Sequence, residues 1–225
     1  MFRLLLWKEW KENLWKFLFC GVASAAFTVL LFRIRIFADI ENCIIISTVQ
    51  AFILPTIFGM DVFSGEMAGR TIYLLFKIPV RRWKIFVSKY VISIAGIVFA
   101  FVFTGVLMEL IAQGREMAVF ELFERSSAIC ITAVVLFTWF CLFGCQGRSE
   151  AGSLAVMASV FVGWGIVFFW AGICKVEWAM PFVPYVFMPQ VKESGFLMPL
   201  LLQSLVAVVV LILAGIRYVK IKRYI

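Results

Sequence analysis

Six apolar runs, each near the roughly 20 residues that a helix needs to cross a ~30 Å hydrocarbon core, recur along the chain. They fall at 17–37, 43–63, 85–112, 127–145, 154–173 and 196–216, and predict an all-α integral membrane protein with six transmembrane helices. The first run is the weakest, because Arg33 and Arg35 interrupt its far end and must snorkel to the headgroups. Ahead of it stands MFRLLLWKEWKENLWK. Placed on a helix, Leu6, Trp7, Trp10, Leu14 and Phe17 share one arc. Lys8, Glu9, Lys11, Glu12 and Lys16 share the opposite one, with Glu12 four positions before Lys16. Tryptophans interleaved with lysines suit a helix in the headgroup layer. Residues 1–16 are therefore expected to form a separate interfacial helix, anchored by Trp7, Trp10 and Leu14, that turns into the membrane. A plain extension of the first span is the competing expectation.

Composition agrees with a membrane class. Of 225 residues, 64% are hydrophobic and 15% charged, with mean hydropathy +1.04, whereas a soluble domain is nearer half apolar and about a quarter charged. The net charge of +8 is unevenly placed. With the N-terminus inside, the inner segments carry Arg3, Lys8, Lys11, Lys16, Arg70, Lys77, Arg81, Arg82, Lys84, Lys89, Arg148, Arg217, Lys220, Lys222 and Arg223. The outer side keeps Arg33, Arg35, Arg115, Arg125, Lys175 and Lys192. This positive-inside bias predicts both termini in the cytoplasm and leaves no soluble basic face for nucleic acid. The charged start, the apolar run and Ala23-Ser24-Ala25 imitate a secretory signal. The cations extend to Lys16, however, and bulky Phe19 before Cys20 does not suit a lipoprotein site, so the segment is read as part of the mature protein.

Candidate chemistry is sparse. The chain has no histidine, which removes Ser-His hydrolysis and imidazole metal sites. Its six cysteines are scattered. Cys141 and Cys145, one turn apart, read as small buried hydrophobes, and Cys43 and Cys174 are candidates for pairing near the outer surface. No metal site is expected. There is no GxxxxGK[ST], hence no phosphate-cradling loop. Gly105, Gly144, Gly163, Gly165, Gly172 and Gly215 are expected to permit close helix packing. Gln50, Pro55, Asp61, Glu109 and Gln203 interrupt the spans, too few for an ion-coupled relay. The segment 174–196 holds Pro181, Pro184 and Pro189 among Trp178, Phe182, Tyr185 and Phe187. Proline at that density forbids one long helix, so this outer segment is expected either as short helices dipping into the membrane or as a plain loop.

The 64–84 segment between the second and third spans carries too much for a connector. Ser64 or Thr71 is a candidate helix cap, and Gly69 weakens a helix there. TIYLLFKI is too apolar to be left in water, Pro79 ends it, and Arg81, Arg82, Lys84 and Lys89 lead back to the headgroups. An apolar ridge flanked by cations is a docking surface for another protein or for lipid.

The register Glu66, Thr71, Leu74-Leu75, Pro79, Arg82, Lys89 resembles the cytoplasmic signature of type-2 ABC exporter permeases, as does the order of an interfacial helix, six spans and short outer elements before the last. Arg70 stands where that family carries a glycine, with Gly69 one place early. The resemblance implies a single permease domain, 1–225, with no enzyme activity of its own and no cofactor, ATP and Mg being bound by a partner. It implies separate ABC ATPase subunits, a second copy of the chain or a related permease, and a place in the plasma membrane. Its coupling helix would present Ile72, Leu74, Leu75 and Ile78 to the ATPase, with Glu66, Arg81 and Arg82 as charged guides and Thr71, Pro79 and Lys89 as framework. The alternatives are an ATP-independent channel or carrier and a membrane-embedded immunity or scaffold protein.

Overall fold

The first helix does not break where a separate interfacial helix would end. In the computed structural model, which describes residues 2–34, 39–59, 79–112, 119–144 and 197–220 with isolated positions at 77, 155, 158–159, 162–163 and 166, α1 runs unbroken from Phe2 to Ile34 (Phe2–Ile34). The expectation of an interfacial helix over 1–16 that turns at a junction is thereby corrected: the extension, not the turn, is what forms. The physical reason is partly local and partly tertiary. No Pro or Gly stands before Gly21, and one buried stripe, Leu5, Glu9, Asn13, Phe17, Cys20, Ser24 and Thr28, passes straight through the junction at helical spacing.

Four more helices follow: α2 (Asp39–Gly59), α3 (Arg82–Ala112), α4 (Val119–Gly144) and α5 (Leu197–Lys220). Pro55 lies inside α2 without ending it. All regular structure among the described residues is helical. Three stretches, Phe2–Leu30, Arg82–Ile111 and Leu201–Lys220, are long and apolar enough to cross a membrane, and the apolar parts of α2 and α4, Ile45–Gly59 and Ile129–Gly144, are shorter. The expectation of six spans therefore meets three long apolar helices here. Most of the run at 154–173 and all of the 174–196 segment lie outside the described residues.

Burial is distributed inside out. On α5 the covered face is Gln203, Ala207, Val210, Ala214 and Tyr218, while Leu201, Leu205, Val208, Val209, Ile212 and Ile216 are exposed. On α1 the covered face includes Glu9, Asn13, Ser24 and Thr28, and Trp7, Trp15, Phe19 and Val22 are exposed. Soluble monomers rarely present apolar surface of that extent. Lipid is the medium that favours it, since lipid covers Leu and Trp as well as a protein core does, and polar side chains must then turn inward to find partners. The chain is a membrane protein of the helical class.

The hub is α3, which packs against all four other helices; the broadest packings are α1 with α3, α2 with α4, and α4 with α5. Neighbours of α3 are seated by shape at glycine. A Cβ on Gly96 would collide with the rings of Phe17 from α1 and Phe58 from α2, the latter at 2.8 Å, and a Cβ on Gly215 of α5 would run into the Trp83 indole. Gly215 thus permits close packing as expected. Gly105 and Gly163 have nothing within 4 Å of that position among the described residues, and so make no such contact here.

Gly96→Ala is expected to lower stability by about 1–3 kcal/mol, as overpacking does, because two rings from two helices must move. Gly105→Ala should change it by less than about 0.5 kcal/mol. Thermal unfolding of both variants in mild detergent checks this, and equal effects would contradict the packing described.

Candidate functional site at the cationic end of the bundle

Among the described residues, cations gather at one end of the bundle, and side-chain contacts define it. Glu9 of α1 lies level with Lys89 of α3, and the carbonyl of Val219, next to the end of α5, receives the Arg82 guanidinium (Nη1–O 3.0 Å). The start of α1, the start of α3 and the end of α5 therefore meet, bringing together Arg3, Lys8, Lys11, Lys16, Arg81, Arg82, Lys84, Arg217 and Lys220. The sequence anticipates that these cations share one membrane side; the structure places those of three helices at one end.

At this end α3 is clasped to α1 by a buried ion pair. Lys89 Nζ stands 3.2 Å from Glu9 Oε2 and 3.2 Å from Oε1, with both side chains 3% exposed. Lys8 approaches the same carboxylate at 3.5 Å and pairs more closely with Glu12, at 3.0 Å. Asn13 donates to the Glu9 carbonyl and accepts from Lys16 Nζ at 3.0 Å. Glu9 is thus not on a solvent-facing polar arc, as the helical-wheel reading expects. The arc turns its middle inward because Lys89 waits there, one full charge facing another in a medium of low dielectric.

Two neutral clasps complete the set. The Tyr90 hydroxyl donates to Thr138 Oγ1 of α4 at 2.8 Å, since the Thr138 hydroxyl is itself donated to the Val134 carbonyl. Farther along, Gln50 Nε2 of α2 donates to Thr104 Oγ1 at 2.6 Å, whose proton goes to the Ala100 carbonyl. With Arg82 and Lys89, these place a polar contact of α3 on each of the four described helices packed against it. An aromatic cluster fills the space between these clasps, with Phe86 against Tyr218 (centroids 5.6 Å) and Tyr90 against Phe137 (5.7 Å).

Of the residues expected to couple to a partner, Glu66, Thr71, Ile72, Leu74, Leu75 and Ile78 lie outside the described residues. Pro79 and Arg81 are exposed beside the start of α3, where the Lys84 amide donates to the Arg81 carbonyl at 2.8 Å. Arg82 and Lys89, grouped with Arg81 by the sequence, reach other helices instead, Arg82 at the exposed end of α5 and Lys89 in the buried pair with Glu9. Trp7, Trp10 and Leu14, expected at the membrane interface, are exposed at 60%, 41% and 38%. Glu109 is exposed, and Gln50 and Gln203 are buried. Among the described residues no group of three or more Cys, Asp or Glu side chains is placed to hold a metal, and Cys20 and Cys130 are free thiols. The residues that sequence reasoning missed are Glu9, Asn13, Ser24, Thr28, Ser93, Thr104 and Thr138, all covered. Their one signal was spacing: Glu9, Asn13, Phe17 and then Cys20, Ser24, Thr28 keep to one helical face. No protein-family model matches the chain, and no curated protein matches it either.

Removing one member of the Glu9–Lys89 pair leaves the other charge covered and partly uncompensated. Glu9→Leu and Lys89→Met are each expected to destabilise the fold by about 3–5 kcal/mol, and the double variant by less than either alone. A double-mutant cycle read by thermal unfolding checks this; additive losses would show that the two charges do not depend on each other.

Proposed function

We propose that the chain is the transmembrane permease subunit of an ATP-driven exporter of the type-2 ABC class. In this reading it has six spans and cytoplasmic termini in the plasma membrane, and it works as a pair of permeases on separate ATPase subunits. The observation that carries the reading is the register Glu66, Thr71, Leu74-Leu75, Pro79, Arg82, Lys89, an apolar ridge that ends in a proline and runs through cations into a spanning helix. Two features of the described residues support it. Pro79 and Arg81 are exposed at the cationic end of the bundle, which is where a soluble motor would bear on the helices. Displacement there has a rigid route inward, because Arg82 and Lys89 tie the start of α3 to α5 and α1. The chain supplies no phosphate loop, so ATP and Mg belong to the partner.

The structure separates the two adjacent arginines for a test. Arg82 braces α5, whereas Arg81 is exposed, so charge reversal at Arg81 probes docking with little effect on packing. Leu74→Ala with Leu75→Ala is expected to weaken attachment of the ATPase by an order of magnitude or more, about 1.4 kcal/mol or above. Arg81→Glu should lower ATPase stimulation while membrane insertion and thermal stability stay as in the parent chain. The readouts are copurification from membranes and substrate-stimulated hydrolysis in nanodiscs. Transport by the chain with no ATPase attached would overturn the reading in favour of an ATP-independent channel or carrier.

A further inference from the structure

Beside the Glu9–Lys89 clasp, on the outward side of α1, lies a groove of about 750 Å³ lined by Arg3, Leu4, Leu6, Trp7, Trp10 and, from α3, Ile92. Among the described residues that line it, all but Arg3 are apolar, and Arg3 brings a guanidinium. We propose that this groove binds an anionic phospholipid, its acyl chain lying along the indoles and its phosphate on Arg3.

Charge settles the class of headgroup. Of the acids in the first turns of α1, Glu9 is turned inward to Lys89 and Glu12 is paired with Lys8, and among the described residues no carboxylate lines the groove. Among the described residues Arg3 has no carboxylate partner, and a guanidinium at the edge of an apolar slot recognises a phosphate diester by paired, charge-assisted hydrogen bonds. The indoles settle the depth. Trp7 and Trp10 are exposed within a few residues of Arg3, and tryptophan favours the level where acyl chains give way to headgroups. From Trp10 the outward surface of α1 continues through the exposed Leu14, Leu18 and Val22, a continuous apolar track for an acyl chain. A second copy of this chain is a poorer occupant of this groove, because it would set cations against Arg3 there; the permease pair proposed above would meet at another face.

The test is native mass spectrometry of the full chain in mild detergent, with phosphatidylglycerol and phosphatidylcholine of matched acyl chains added together. Wild-type protein should retain the anionic lipid preferentially. Arg3→Gln should reduce the ratio of retained anionic to zwitterionic lipid about fivefold, the contribution of one cation beside an anionic lipid. Lys220→Gln, at an exposed cation of the same end but off the groove, should leave the ratio unchanged. Bromine on the acyl chain of phosphatidylglycerol should quench Trp7 and Trp10, read as the fluorescence lost in Trp7→Phe/Trp10→Phe, and soluble glycerol phosphate should not displace the lipid. Equal retention of the two lipids overturns the proposal, and so does an equal loss in Arg3→Gln and Lys220→Gln. Displacement by glycerol phosphate, or lipid loss that tracks dimer formation, overturns it as well.

Discussion

Among the described residues, polar side chains of α3 reach every helix packed against it. Lipid competes well for Leu, Val and Phe, so apolar contact alone does not tell a helix which neighbour to take or at what height. In α3 that information sits in Arg82, Lys89, Tyr90 and Thr104, each meeting a different neighbour. The strongest is Glu9–Lys89, because a covered charge without its counter-charge is costly, so that α1 is held to one register and one rotation. Once α1 is set, Phe17 falls on Gly96, and Phe58 of α2 closes on the same glycine. Shape then finishes what charge begins.

This arrangement gives the two ends of the molecule different characters. Three of the four polar clasps, those at Arg82, Lys89 and Tyr90, lie within the first turns of α3, and the aromatic cluster around Phe86 is packed among them. The cationic end is thus a braced platform. Toward the other end the connection from α2 to α3 is Gln50–Thr104, a neutral bond of the kind worth about 0.6 kcal/mol on average between membrane helices. A push delivered at the start of α3 would therefore be shared at once with α1, α4 and α5. Such bracing would be what the proposed export subunit needs at the side from which it is driven.

The same pairing explains the division of labour among the cations. Lys89 and Arg82 look interchangeable with Arg81 and Lys84 as members of a basic run. Among the described residues, Lys89 and Arg82 find acceptors on other helices, and they become structural. Arg81 and Lys84 remain exposed, available to whatever approaches that end. Arg3, with the acids around it engaged by Lys89 and Lys8, is left facing an apolar slot.

Much of this was legible from the sequence. Apolar runs of spanning length, few charges and no histidine determined a helical membrane protein without imidazole chemistry, because a hydrocarbon core admits little else at that composition. The collection of cations toward one side was also legible, since it depends only on which segments are polar. Continuity of α1 was decided by tertiary structure: the Trp and Lys pattern of residues 1–16 is equally compatible with a surface helix, and only Lys89 across the interface draws Glu9 inward. Nor could spacing distinguish Gly96 from Gly105, since both are glycines on one apolar helix and only the rings of Phe17 and Phe58 mark one of them. Composition and period along one chain determine what medium a helix needs. Which face turns inward depends on a counter-charge or a ring supplied by another helix, and that is known only once the helices are packed.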